Sequence, residues 1–108
     1  MREDTIEAMI ALATRALSRA DGDQCRSLVR DMAGHWPDAP ALSISFALAS
    51  AAAEVGDNFA GKGDQIGYRL SALVAADIFA LEAMGKCPAT AHDLLHFWRR
   101  VDPYFLKL

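Results

Sequence analysis

The sequence lacks the features of exported and disulfide-bonded proteins. Its 108 residues contain only two cysteines, Cys25 and Cys87, which stand alone without a Cys-x-x-Cys spacing. Isolated cysteines of this kind are typical of reduced thiols. The N-terminal segment opens with acidic residues and has neither the basic start nor the apolar centre of a signal peptide. We therefore expect a cytoplasmic protein.

Long apolar runs and an excess of positive charge are also missing. The uncharged stretch 39–53 contains Pro40 and three serines, so it is too short and too polar to cross a bilayer. The formal net charge of −3 provides no overall field to attract nucleic acid. A local group of arginines is diluted by nearby aspartates; it consists of Arg15, Arg19, Arg26 and Arg30. We expect neither a membrane nor a nucleic acid as partner.

Alanine, in contrast, is abundant, with 21 copies in the chain. It has the highest helix propensity and allows helices to pack closely. Apolar residues recur at helical spacing in five segments, which are residues 5–20, 23–35, 39–55, 64–84 and 90–101. The links between most of these segments are short. The sequence therefore predicts an all-α fold: a single helical domain over residues 1–108, built as an up-and-down bundle of four to five helices.

Residues typical of helix ends mark several boundaries. Asp4 and Asp23 are candidate N-caps of the first and second helices. Thr90 with Asp93 is a candidate capping box at the start of the fifth helix. Gly85 is predicted to end the fourth helix, because glycine readily adopts the left-handed conformation found after helix ends.

The third and fourth predicted helices are apolar on two opposite sides. On the third helix, one side consists of Leu42, Phe46, Ala49 and Ala53, and the other of Ile44, Leu48, Ala51 and Val55. On the fourth helix, one side consists of Tyr68, Ala72, Ala75 and Phe79, and the other of Ile66, Leu70, Leu73, Leu81 and Met84. A helix of this kind needs neighbours on both sides, so helices 3 and 4 are predicted to be central. Leu94, Phe97, Trp98 and Val101 of the fifth helix are predicted to face inward.

Three amphipathic helices are too few to cover both sides of two central helices in so short a chain. A second copy of the chain would complete the cover. The sequence therefore predicts a homodimer formed by an alanine-rich helix face and the aromatic tail around Tyr104 and Phe105. The corresponding function is a homodimeric interaction or regulatory module, with a further protein partner as an option.

Residues 56–63, GDNFAGKG, match the start of a phosphate-binding loop. That loop requires a buried strand before it and a hydroxyl side chain for magnesium at the position of Gly63. The preceding segment is alanine-rich and predicted to be helical, and Gly63 has no hydroxyl. We instead interpret Gly56 as the C-cap of the third helix, followed by a link in which Phe59 packs inward.

Asp77 lies near the centre of the main apolar stripe of the fourth helix. A buried carboxylate must find a partner or hold a proton, because burying it unpaired costs several kcal/mol. One interpretation is a hydrogen bond to a Ser, Tyr or Arg of a neighbouring helix. The other is a ligand anchor, with Tyr68 as a second ligand-binding residue. No second catalytic group accompanies Asp77, so the sequence does not indicate an enzyme.

His92 and His96 are four residues apart on the fifth helix. This spacing places both imidazoles on one side, where they can bind one metal ion. A third ligand would have to come from His35, Asp93, Asp77 or a cysteine, and no Glu follows the first histidine as in zinc peptidases. The alternative is a solvated polar face. The second predicted function is therefore small-ligand or metal binding between helices 4 and 5; no other cofactor is indicated.

Overall fold

The computed structural model of the chain is built from helices. It describes residues 3–19, 22–58, 63–101 and 103–106, and these ranges contain five α-helices, one 3-10 helix and no strand. The α-helices are α1 (Glu3–Leu17), α2 (Gly22–His35), α3 (Ala41–Asn58), α4 (Gly63–Ala83) and α5 (Ala91–Arg100); the 3-10 helix is Tyr104–Leu106. The predicted all-α bundle is confirmed, with α3 and α4 at its centre.

Helices α3 and α4 pack as an antiparallel pair through small residues. The Ser45 hydroxyl donates to the Ser71 carbonyl (3.0 Å), and the Ser71 hydroxyl donates to the Ser45 carbonyl (2.7 Å). Further along α3, Ala52 lies against Gly67, which comes earlier in α4. Because no large side chain separates these positions, the two backbones approach closely.

The core lies on the inner side of this pair. Helix α1 packs along α3, while α2, α5 and the 3-10 helix close the remaining side. The largest fully buried side chains are Trp98, Phe105, Met9, Leu17, Met32, Ile44, Leu48, Leu94, Val29 and Val74. Phe105 packs on Trp98 with ring centroids 4.9 Å apart. The aromatic tail therefore packs on the bundle of its own chain.

Two predicted helix ends have the expected geometry. Thr90 and Asp93 form a capping box at the start of α5: the Asp93 N–H donates to Thr90 Oγ1 (3.3 Å), and the Thr90 N–H donates to Asp93 Oδ2 (3.0 Å). Gly85 follows the end of α4 with a φ of 97°. The Lys86 N–H then donates to the Leu81 carbonyl (3.0 Å), which closes the helix as in a Schellman motif.

Three other predicted ends are wrong. Helix α1 begins at Glu3 and α2 at Gly22, so Asp4 and Asp23 lie inside the first turns instead of capping them. The Asp4 carboxylate is favourable in the first turn of α1 because it interacts with the positive end of the helix dipole. Gly56 does not end α3, which continues to Asn58. A glycine inside a helix costs only about 1 kcal/mol. The predicted packing of Phe59 lies outside the described residues.

Two residues predicted to face the core are instead exposed. Met84 is 60% exposed and Val101 is 62% exposed. Each lies just beyond the last residue of its helix, α4 or α5. Both still donate helical hydrogen bonds, from the Met84 N–H to the Ala80 carbonyl (3.2 Å) and from the Val101 N–H to the Phe97 carbonyl (2.8 Å), so their spacing stays helical. They are exposed because both line an open groove between α4 and α5.

The α3–α4 contact makes Gly67 a position with no room for a side chain. A Cβ at Gly67 would lie 2.7 Å from the Ala52 Cβ and 2.7 Å from Leu17 Cδ1. Overpacking of this kind costs about 1–3 kcal/mol, while alanine gains up to about 1 kcal/mol over glycine in helix propensity. We expect Gly67→Ala to lower the free energy of unfolding, measured by urea denaturation, by about 1–2 kcal/mol.

Gly34 in α2 provides the matched control, because nothing lies within 4 Å of a Cβ added there. Gly34→Ala should leave stability unchanged or raise it by up to about 1 kcal/mol. Equal effects of the two substitutions would contradict the close approach of α3 and α4.

Candidate functional site

Helices α3 and α4 expose an apolar surface on the side away from the core. It consists of Leu42, Phe46, Ala49 and Ala53 of α3 and Tyr68, Ala72, Ala75 and Phe79 of α4, and we call it the outer face. Phe79 is 75% exposed, Leu42 64%, Phe46 53% and Tyr68 49%. On the opposite sides of the same helices, Ile44 and Val74 are fully buried, and Ile66 and Leu73 are half-buried. Within the described chain, therefore, only one of the two predicted apolar sides is covered.

The contact between Ser45 and Ser71 explains why both exposed stripes belong to one surface. In an antiparallel pair of α-helices, the residue that directly follows a contact residue points to the same side of the pair on both helices. Ser45 lies level with Ser71 and Ala52 with Gly67. This register places Ala72 beside Phe46 and Ala49 beside Tyr68. Large side chains on one helix thus lie beside alanines on the other.

A shallow groove of about 470 Å³ runs across the outer face toward α1. Its lining comprises Ile6, Pro40, Leu42, Ser43, Ser45, Phe46, Ala49 and Ser71. None of these side chains carries a charge. The groove therefore offers an apolar contact surface and no group for acid–base chemistry.

The second candidate site is a groove of about 500 Å³ between α4 and α5. Its lining includes Met84, Lys86, His92, His96 and Arg100. The His92 and His96 Nε2 atoms lie 3.1 Å apart, and the two rings meet edge to face with centroids 4.6 Å apart. The helical spacing correctly placed the two imidazoles together; their binding of a metal stays a prediction.

The start of α5 is held in place by backbone hydrogen bonds to the segment before α3. The Ala41 N–H donates to the Ala89 carbonyl (2.9 Å), and the Ala91 N–H donates to the Ala39 carbonyl (2.8 Å). Together with the capping box, these bonds fix the first turn of α5, from which His92 projects.

A hydrogen bond to Asp77 of α4 fixes the C-terminal part of α5. The Trp98 indole N–H donates to Asp77 Oδ2 at 2.9 Å, which joins the half-buried carboxylate of α4 to a fully buried ring of α5. A neighbouring helix therefore supplies a hydrogen-bond partner, as the structural interpretation required. The donor of this bond is an indole 21 residues along the chain, which is not among the expected residue types, Ser, Tyr and Arg.

The residues predicted to bind a ligand do not meet in one site. Tyr68 lies nine residues before Asp77, two and a half helical turns, so the two side chains point to opposite sides of α4. Tyr68 belongs to the outer face, and Asp77 is not among the residues that line the groove between α4 and α5. Only His92 and His96 are brought together.

The third metal ligand that the sequence left open is not found in the part of the chain that the structure describes, which excludes the side chain of Cys25. Among the described residues, no group of three or more His, Cys, Asp or Glu side chains is placed to hold a metal ion. His35 packs edge to face on Trp36 with centroids 4.4 Å apart, and the Asp93 carboxylate accepts hydrogen bonds within the capping box. His92 and His96 thus form a two-ligand arrangement.

Sequence reasoning missed several residues that shape these sites. Ser45 was not singled out from the sequence, whereas it joins α3 to α4 through its hydrogen bonds with Ser71, which we call the seam. The pairing of Trp98 with Asp77 was also missed. A usable indication of the seam was the presence of a serine between the two apolar stripes of each central helix.

Comparison with protein-family models, curated proteins and solved structures finds no match for this chain. None of the described helices combines the length and the apolar character that crossing a bilayer requires. Function must therefore be inferred from the chemistry and geometry of the chain itself.

The bond between Trp98 and Asp77 can be tested by a double-mutant cycle. Removing the acceptor from a buried donor costs about 1–3 kcal/mol, so Asp77→Ala should lower the free energy of unfolding by about that amount. In the background of Trp98→Phe, which has no indole N–H, the same substitution should cost measurably less. Equal costs in both backgrounds would show that the bond does not join α4 to α5.

Proposed function

We propose that the protein is a homodimeric interaction or regulatory module whose two copies associate through the outer face. The observation that supports this proposal is the exposure of three aromatic rings and one leucine on the two central helices. Large apolar side chains gathered on a rigid surface are typical of protein contact sites.

The outer face has a suitable size for this role. A fully exposed aromatic ring presents about 150–250 Å², so the exposed parts of Phe46, Tyr68 and Phe79 amount to roughly 350 Å² per copy. Leu42 and the four alanines raise the apolar area to roughly 600 Å², the upper end for the largest patch of a typical monomer. One side of a standard interface buries about 800 Å². Polar residues at the rim would supply the difference.

The outer face also suits a second copy in shape. Its large side chains, such as Phe46, lie beside alanines, such as Ala72, so the surface alternates between raised and shallow positions. A two-fold axis pairs the same surface with itself. The aromatic rings of one copy can then rest on the alanines of the other, and no ionised group would be buried between them.

The aromatic tail, the second part of the predicted interface, packs on its own chain through Phe105. Phe105 is only 1% exposed because it packs on Trp98, so it offers no surface to a partner. Tyr104 is half-buried and can still contribute to a contact. We therefore propose an interface formed mainly by the helix face.

The alternative function, small-ligand or metal binding between α4 and α5, has a separate observation in its favour. This observation is the 3.1 Å separation of the His92 and His96 Nε2 atoms. The two proposals use different surfaces, since neither histidine belongs to the outer face.

Charge placed on the outer face should separate the copies. We expect the wild-type protein to sediment at equilibrium as a dimer at micromolar concentrations, and Phe46→Glu and Phe79→Glu each to sediment as a folded monomer. A carboxylate buried in the contact without a partner costs several kcal/mol. In the monomer both positions are exposed, so circular dichroism should show unchanged helix content.

Val101→Glu is the matched control, because Val101 is an exposed apolar residue outside the outer face. It should leave the dimer intact. A wild-type protein that is a well-folded monomer under these conditions would contradict the proposal. So would dimers that persist in both phenylalanine variants.

A further inference from the structure

We propose that His92 and His96 chelate one divalent transition-metal ion, such as Zn²⁺, Ni²⁺ or Cu²⁺, at the open side of the groove between α4 and α5. The proposal depends on the geometry of α5 and is independent of the outer face. Both histidines are exposed, so an ion can reach them from solvent.

The separation of the two nitrogens is close to that required by a metal. Two imidazole nitrogens bound to one tetrahedral zinc ion at about 2.0–2.1 Å lie roughly 3.3 Å apart. The His92 and His96 Nε2 atoms are 3.1 Å apart. Both side chains are exposed, so each ring can rotate to aim its Nε2 lone pair at one ion. Without metal, one ring can donate an N–H to the other across the same distance.

The helix that carries the two rings is held firmly at both ends. The His92 N–H donates to the Pro37 carbonyl (2.9 Å), next to the capping box of Thr90 and Asp93. Two residues beyond His96, Trp98 is buried and bonded to Asp77. Since the backbone of α5 is fixed in this way, only side-chain rotations are lost on binding. The second imidazole then binds at a high effective concentration.

The surroundings determine the class of ion. Imidazole nitrogen suits zinc, copper and nickel, whereas magnesium and calcium prefer oxygen ligands. Two protein ligands leave the other coordination positions to water or to groups of a second molecule. Lys86, Arg100 and Asp93 line the same groove. Two positive charges against one negative charge oppose the cation on balance, so we expect weaker binding than at a four-ligand structural zinc site, and a preference for an anionic co-ligand.

Calorimetric titration of tag-free protein with nickel chloride and with zinc chloride tests the proposal. We expect one ion per chain in the wild type. His92→Ala and His96→Ala should each lower the association constant by at least about tenfold, because each leaves a single imidazole in place of a chelating pair. His35→Ala removes the histidine at the end of α2, which packs on Trp36, and should leave metal binding unchanged.

Two double variants with equal numbers of histidines isolate the effect of spacing. His92→Ala with Arg100→His restores a pair four residues apart, at positions 96 and 100, and should recover affinity. His96→Ala with Arg100→His leaves histidines at positions 92 and 100, two turns apart, and should not. Circular dichroism verifies that each variant is folded.

The proposal is overturned if the wild type binds neither ion, if neither alanine variant weakens binding, or if the two double variants bind equally well. Phe79→Glu, which alters the outer face alone, should bind the ion as the wild type does. Failure of the metal site is therefore distinguishable from failure of self-association.

Discussion

The close approach of α3 and α4 is the contact on which the rest of the structure depends. A Cβ added at Gly67 would lie 2.7 Å from the Ala52 Cβ. Along the same contact, the Ser45 and Ser71 hydroxyls each donate a hydrogen bond to the backbone carbonyl of the other serine. Small residues bring the backbones together, and dispersion contacts between closely packed helices are collectively large. The same contact sets the register of the pair. It thereby determines which side chains enter the core and which form the outer face.

The two sides of the central pair have different consequences. The inner side provides apolar surface that α1, α2 and α5 cover, and Trp98 bonded to Asp77 links α5 to α4 within that core. The outer side exposes rings that no described part of the chain covers. Folding therefore accounts for one apolar stripe on each central helix. We propose that self-association accounts for the other and that the groove beside α5 serves a separate binding event.

Much of the helical organisation was predictable, because five segments show clear 3.6-residue periodicity and α5 begins with a recognisable capping box. Periodicity also showed that two helices are apolar on opposite sides. It does not reveal whether the second side is covered by the same chain or by another. The donor to Asp77 was not predictable, because the bond depends on how α4 packs against α5. Met84 and Val101 were misplaced because periodicity does not show where the neighbouring helices stop, and both residues line an open groove instead of the core.

The central claim is that a second copy covers the outer face, and paramagnetic relaxation of alanine methyl groups by a soluble gadolinium chelate tests it most directly. Ala49, Ala53, Ala72 and Ala75 lie on the outer face, while Ala8 and Ala11 are exposed on α1. In concentrated protein we predict that the first group is shielded from the chelate and the second is strongly relaxed. Equally strong relaxation of Ala53, Ala72, Ala75, Ala8 and Ala11 would show that the outer face is open to solvent and would contradict the account.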